Sequence, residues 1–257
     1  APFRPAASPR RPRSDPPTVR AEPRPSDRCR ASGRAVTVAA ERGRPPIRVA
    51  ILGWGTIGSG VIRLLRERPR ELSARLGHPV ELARVVDIDL ERARPVKLPR
   101  SLLGTRASEV LEDPRIDVVV ELMGGFEPAR SIVLQATGAG KDVVNANKAL
   151  IAKHGAELVD AAEKAGVGFA FEASVGGGIP IIRTLREGLA ADRNRAVFGI
   201  VNGTSNYILS TMASQGASFA DVLAAAQREG LAEADPTYDV EGIDAAHKLA
   251  ILAQLAF

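Results

Sequence analysis

Six short apolar runs punctuate the chain, at residues 47–52, 80–86, 117–122, 142–145, 168–172 and 196–201. The first five are rich in Val, Ile or Phe and mostly lack the strict alternation of a half-exposed strand. They read as strands of a parallel sheet covered on both faces. Between them apolar residues recur at every third or fourth position: Val61, Leu64 and Leu65 after the first run, residues 129–137 after the third, and residues 156–165 after the fourth. That period is helical. Strand alternating with helix predicts a doubly wound parallel α/β sheet. After residue 175 the rhythm changes to a helix reaching Leu189, a strand at 196–201, a polar turn at 202–207 that caps a new helix, then helices at 219–226 and 243–255. Residues 47–175 and 176–257 are therefore expected to form two domains.

Composition changes the picture at one end only. The formal charge is +5, but residues 1–46 hold 11 Arg and no Lys against four acids, which leaves about −2 for the rest. The same stretch carries 10 of the 18 Pro and few large apolar residues, so it reads as a disordered leader. An organelle-targeting peptide and a nucleic-acid arm are its alternatives. With the basic character confined there, the remainder is not expected to bind nucleic acid. No apolar stretch approaches the roughly 20 residues that span a bilayer, so no membrane partner is expected. The single cysteine, Cys29, excludes an internal disulfide and suits a reducing, cytoplasmic setting. The three histidines show no ligand spacing for zinc.

Chemistry enters where the first strand ends. Gly53-Trp54-Gly55-Thr56-Ile57-Gly58 stands between a strand and a helix, the context that makes a GxGxxG motif a dinucleotide-binding signal. Gly53 serves the tight turn, Gly55 the approach of a pyrophosphate, and Gly58 the packing of helix on strand. Asp87, at the end of the second strand, is placed to accept from an adenosine ribose and would favour NAD over NADP. It lies further from Gly53 than the usual 20 or so residues, a gap that the His78-Pro79 insertion is expected to fill. Arg92 and Arg94 keep a phosphate acceptor for NADP in reach. Gly124-Gly125 and Asn147-Lys148 fall at strand carboxyl ends, where such sheets bind ligands. Gly176-Gly177-Gly178 leaves carbonyls uncrowded, for a hard cation or as a hinge. Asp244 and Lys248, four apart on a helix, share a face; a surface ion pair is the alternative. Glu233 sits just upstream, in a loop marked by Asp235-Pro236.

GWGTIGSG at 53–60, ELMGG at 121–125, NANKAL at 145–150, FEASVGGGIPII at 171–182 and NGTSNYIL at 202–209 together resemble the homoserine dehydrogenase family. So does the run A-x3-G-L-A-E-A-D-P-x2-D-V-x-G-x-D-x3-K at 226–248, the most specific of these patterns. The resemblance covers residues 47–257. It implies a Rossmann-type nucleotide domain followed by an α+β substrate and dimerisation domain. It also implies NAD(P)H-dependent interconversion of L-aspartate 4-semialdehyde and L-homoserine, on the route to threonine, methionine and isoleucine. Carried over by position, Lys248 is the proton donor and Lys148 assists it, while Glu233 and Asp244 hold the substrate's amino group. The cofactor would meet Gly53, Gly55, Thr56, Ile57, Gly58, Asp87, Gly124, Lys148 and Gly230. Glu172, with the carbonyls of Val175, Gly177 and Ile179, matches a monovalent cation site, normally sodium. The family's catalytic region runs on past the position of Phe257 and dimerises through the sheet of the second domain. The second domain is therefore expected to be incomplete here, with a cofactor-binding remnant without turnover as the alternative outcome. Aspartate-semialdehyde dehydrogenase, a neighbouring chemistry, needs a thiol nucleophile that Cys29 in the leader does not supply.

Overall fold

In the computed structural model, residues 44–92 and 94–257 are described, and they fall in one compact unit. The expectations for the arginine-rich leader up to residue 43, Cys29 included, lie outside the described residues. Six parallel strands form the sheet: β1 (Ile47–Leu52), β2 (Val80–Val86), β3 (Leu103–Gly104), β4 (Val118–Glu121), β5 (Asp142–Asn145) and β6 (Phe169–Ala170), in the order β3-β2-β1-β4-β5-β6. The order reverses direction between β1 and β4, the crevice where doubly wound sheets take dinucleotides. The helices are α1 (Thr56–Glu67), α2 (Pro69–Leu76), α3 (Ser108–Leu111), α4 (Ala129–Gly138), α5 (Lys148–Ala165), α6 (Ile181–Arg183, continuing in wider turns over Thr184–Gly188), α7 (Gly203–Gln215), α8 (Phe219–Arg228), α9 (Thr237–Val240) and α10 (Ile243–Ala256). Among the described residues no helix is long and apolar enough to cross a membrane.

The apolar runs behave as their composition demands. In β1, Ala50 and Leu52 enter one core with Val119, Val143 and the buried faces of α4 and α5, while Val49 and Ile51 enter a second with Val85, Val120 and Ile62 of α1. Successive side chains point to opposite faces, so a strand buried on both sides must be apolar throughout. Ile251 and Leu252 of α10 join the first core, which seats the last helix against α5.

Three expectations need correction. The gap before Asp87 comes from a second helix in the crossover, α2, which starts on Pro69 and ends at Gly77 in the left-handed conformation; His78-Pro79 only closes it. Proline at the first helical position and glycine after the last suit such a short helix. Helix α5 starts at Lys148 instead of near residue 156, because Asn147 caps it there. Residues 196–201 form no strand ladder among the described residues. Phe198 and Ile200 stand 92% and 76% exposed, since an apolar run becomes a strand only when another edge pairs with it.

The first and last glycines of the turn are fixed by packing. A Cβ on Gly58 would lie 2.2 Å from the Gly53 carbonyl oxygen, and one on Gly53 would lie 2.7 Å from the Leu122 backbone. Neither obstacle is a side chain that can swing away. Gly58→Ala is expected to destabilise the fold by about 1–3 kcal/mol, the usual cost of overpacking, read as a lower urea midpoint at unchanged slope.

Candidate active site

Helix α1 begins at the glycine turn with Gly55 as its cap and no side chain on its first amides. Unlike its neighbours, Gly55 has nothing within 4 Å of a would-be Cβ. Packing does not require glycine there, and the missing side chain leaves the helix N-terminus open to an anion. Beside it lies a cleft of about 270 Å³ lined by Trp54, Thr56, Ser59, Arg63, Arg92 and Arg94. The Asp87 carboxylate accepts from the Trp54 amide (2.6 Å) and the Asp89 amide (3.0 Å) and pairs with Arg94 at 3.2 Å. The Arg94 guanidinium also donates to the Trp54 carbonyl and lies 4.5 Å from the centre of its ring. Asp87 thus braces the rim of this cleft through Trp54 and Arg94, while Arg63 and Arg92 line it.

The carboxyl ends of β4 and β5 are tied together from below. Glu121 is fully buried; its carboxylate accepts from the amides of Met123 (2.7 Å) and Gly124 (3.3 Å) and from Asn145 Nδ2 (2.6 Å). Burial pushes the Glu121 carboxyl up, against the pull of these hydrogen bonds. Gly124 and Gly125 both take the left-handed conformation, which shapes the loop above.

Lys148 is the first residue of α5, where the helix dipole opposes a positive charge. Stability alone would not place a lysine there. Its Nζ lies 2.5 Å from Asp244 Oδ1, and Lys248 Nζ lies 2.6 Å from Asp244 Oδ2. One carboxylate, 3% exposed, therefore bridges two lysines from separate helices. Burial raises the Asp244 carboxyl, yet hydrogen bonds from Lys148, Lys248 and Asn202 outweigh it and hold it at about 2. Lys248 also donates to the Val201 carbonyl at 2.8 Å. An ammonium has three donors, so one remains for a ligand. Both lysines line a cleft of about 1440 Å³ that runs past Ile57, Gly124, Gly125 and Tyr238.

The other expected residues are placed less centrally. Glu233 is exposed and Gly230 follows α8 in the left-handed conformation; neither lines this cleft. Glu172 accepts from the amides of Ile182 (2.9 Å) and Arg183 (3.0 Å), capping α6. Besides Glu121, two residues carry roles that the sequence did not reveal. Asn202 Nδ2 donates to Asp239 Oδ1 (2.7 Å) and to Asp244 Oδ2 (2.9 Å), and its own Oδ1 accepts from Ser205. Read only as a cap, Asn202 is also the link between two acids. Asp239 stood in the quoted run, and its spacing from Asp244 was the available signal.

A parallel sheet in this order, a glycine turn at its switch point and cationic side chains over its carboxyl edge define a dinucleotide-binding α/β protein of the Rossmann class. The family model of the homoserine dehydrogenase NAD-binding domain matches residues 53–172, and that of homoserine dehydrogenase matches residues 180–257. The chain belongs to the homoserine dehydrogenase family. It is 52% identical over 209 residues to the homoserine dehydrogenase of Corynebacterium glutamicum, covering 81% of this chain and 47% of that protein. A solved homoserine dehydrogenase from Thiobacillus denitrificans is 51% identical with a TM-score of 0.76, over 83% of this chain and 49% of the other. A hyperthermophilic archaeal homoserine dehydrogenase in complex with NADPH is 26% identical with a TM-score of 0.71, over 83% of this chain and 70% of the other. The chain spans about half the length of the curated relatives it matches.

Proposed function

We propose that this chain interconverts L-aspartate 4-semialdehyde and L-homoserine with NAD(P)H, in the biosynthesis of threonine, methionine and isoleucine. The observation that carries the reading is the pair of lysines held on Asp244 at the carboxyl edge, opposite the glycine turn. The bound nicotinamide supplies the hydride. Lys248, with two donors committed to Asp244 and Val201, points its third at the aldehyde oxygen and gives a proton as the alkoxide forms. Lys148 adds positive charge beside the same oxygen, where developing negative charge needs it. A substrate ammonium reaching Asp244 would take over a hydrogen bond now made by a lysine, with Glu233 closing from the loop. Residues 47–175 serve the cofactor and 176–257 the substrate.

The same reading gives a sodium ion the loop at Glu172. The carbonyls of Val175 and Gly177 accept no backbone hydrogen bond among the described residues, and a hard cation takes such oxygens together with a carboxylate. The Ile179 carbonyl accepts only from Ile181 in that loop (2.8 Å) and completes the set. A cytoplasmic setting belongs to the same reading, as does a homodimer for a full-length member of the family. The test is oxidation of L-homoserine by residues 1–257 with NAD or NADP, followed by cofactor absorbance. Cofactor binding without turnover, while a longer chain works, would leave the remnant reading standing.

Cofactor preference follows from Asp87. Its negative charge opposes a 2′-phosphate and occupies Arg94, which favours NAD. Asp87→Ser is expected to remove the charge that opposes a 2′-phosphate and to shift the kcat/KM ratio toward NADP by roughly tenfold, about the worth of one charge-assisted hydrogen bond. An unchanged ratio removes Asp87 from cofactor choice.

A further inference from the structure

The polar groups beneath the cleft close into a ring. Glu121 holds the Met123 and Gly124 amides through one oxygen and Asn145 Nδ2 through the other. Asn145 Oδ1 accepts from the Asn147 amide at 2.7 Å, and Asn147 Nδ2 returns to the Gly125 carbonyl at 2.6 Å. The Asn147 side-chain oxygen accepts from the Leu150 amide at 3.2 Å and so caps α5. All three side chains are buried. The ring therefore joins the Gly124-Gly125 loop on β4 to the helix end that carries Lys148.

A buried carboxylate is a costly way to hold a strand end, since desolvating an ion is repaid only by complete hydrogen bonding. A leucine would fill the space and leave the loop free. We propose that Glu121 is a positioning residue: through Asn145 and Asn147 it fixes the distance between the glycine loop that seats the nicotinamide and the start of α5 that presents Lys148. The inference rests on the cofactor contact that the family resemblance implies for Gly124 and on the proposed role of Lys148. The ring itself is a fact of the fold.

The donor and acceptor pattern supplies a sharp test. In Glu121→Gln the new amide must face either the Met123 and Gly124 amides or Asn145 Nδ2, donor against donor. Turning Asn145 over only moves the conflict to the Asn147 amide, so every arrangement leaves one link broken. In the double variant, Glu121→Gln with Asn145→Asp, the glutamine amide donates to the new carboxylate, which still accepts from Asn147. Every link returns, with the charge moved one residue along.

Trp54, the single tryptophan, stands at the cofactor cleft and gives a fluorescence signal for NADH binding without any turnover. Glu121→Gln is expected to weaken NADH binding about fivefold or more and to lower kcat with homoserine by about tenfold, as small misplacements of a catalytic group do. The double variant is expected to recover both to within about twofold. A lower melting temperature with NADH affinity and kcat unchanged would make Glu121 merely structural and overturn the proposal. So would a folded double variant that stays as impaired as Glu121→Gln. If Glu121→Gln does not fold, the double variant decides alone: wild-type affinity supports the ring and weakened affinity sinks it. If the wild-type chain turns over no homoserine, the proposed function fails while the NADH titrations still decide the ring.

Discussion

Lys248→Ala is expected to lower kcat for homoserine oxidation by about 10²-fold or more, while NADH affinity stays within about threefold of wild type. The asymmetry comes from geometry. Lys248 lies on α10, away from the glycine turn, and its ammonium has one donor left after Asp244 and the Val201 carbonyl. Removing it leaves the substrate hydroxyl without the partner that takes its proton in oxidation, as it gives one to the alkoxide in reduction, and takes nothing from the pyrophosphate seat on α1. Lys148 stays on Asp244, so some electrostatic help persists and the loss is not total. Lys248→Arg should not restore the rate, because a guanidinium keeps its proton far more tightly than an ammonium. Steady-state kinetics beside fluorescence titration separate the two effects. An unchanged kcat in Lys248→Ala ends its claim to be the proton donor.

Asp244→Asn reaches further, because one carboxylate answers for two cations. Without it, Lys148 and Lys248 face each other across an amide, whose single oxygen serves either Lys148 or the side shared by Lys248 and Asn202 but not both. Breaking a buried pair on one side typically destabilises by about 3–5 kcal/mol; Lys148 is partly exposed, so the lower end is expected. Turnover should fall with it, since both amines lose their anchor. The pH dependence carries a definite sign. The folded carboxyl is held at about 2 against an ordinary 3.8. A depressed value means its contribution, on the order of 2 kcal/mol, is complete above 3.8 and fades as pH falls toward about 2. Urea unfolding across that window should show the gap between wild type and Asp244→Asn shrinking as acid is added. A gap that stays constant through the window would mean the carboxylate is not held by these lysines.

The sheet was legible where burial on both faces forced nearly unbroken apolar runs, which is why β1 and β4 follow from composition; β2 and β5 carry polar and exposed positions and were legible from their valines. Strand β3 was not, because Leu103-Gly104 is too short to carry a period. The run at 196–201 failed in the opposite sense. Its β-propensity is plain in Val197, Phe198 and Ile200, but a ladder partner is a tertiary fact that no local pattern contains. The site divides in the same way. Lys148 and Lys248 stood out because a strand end and a four-residue spacing give a lysine a reason to be there. Glu121 did not, since a single acid at the end of DVVVEL looks like the place where a strand meets water, whereas it is buried to completion. Asn202 was visible as a helix cap and invisible as a bridge between Asp239 and Asp244, because those acids arrive from about forty residues away.

The charge at the first position of α5 has a consequence for engineering. A lysine against a helix dipole and a glutamate in a closed core are the substitutions that a selection for heat resistance alone would discard first. Libraries built from this chain and screened only for folding would therefore drift toward tougher proteins with an emptied site. Thermostability and turnover have to be scored together, with positions 121 and 148 held constant, if the chain is to be hardened without being silenced.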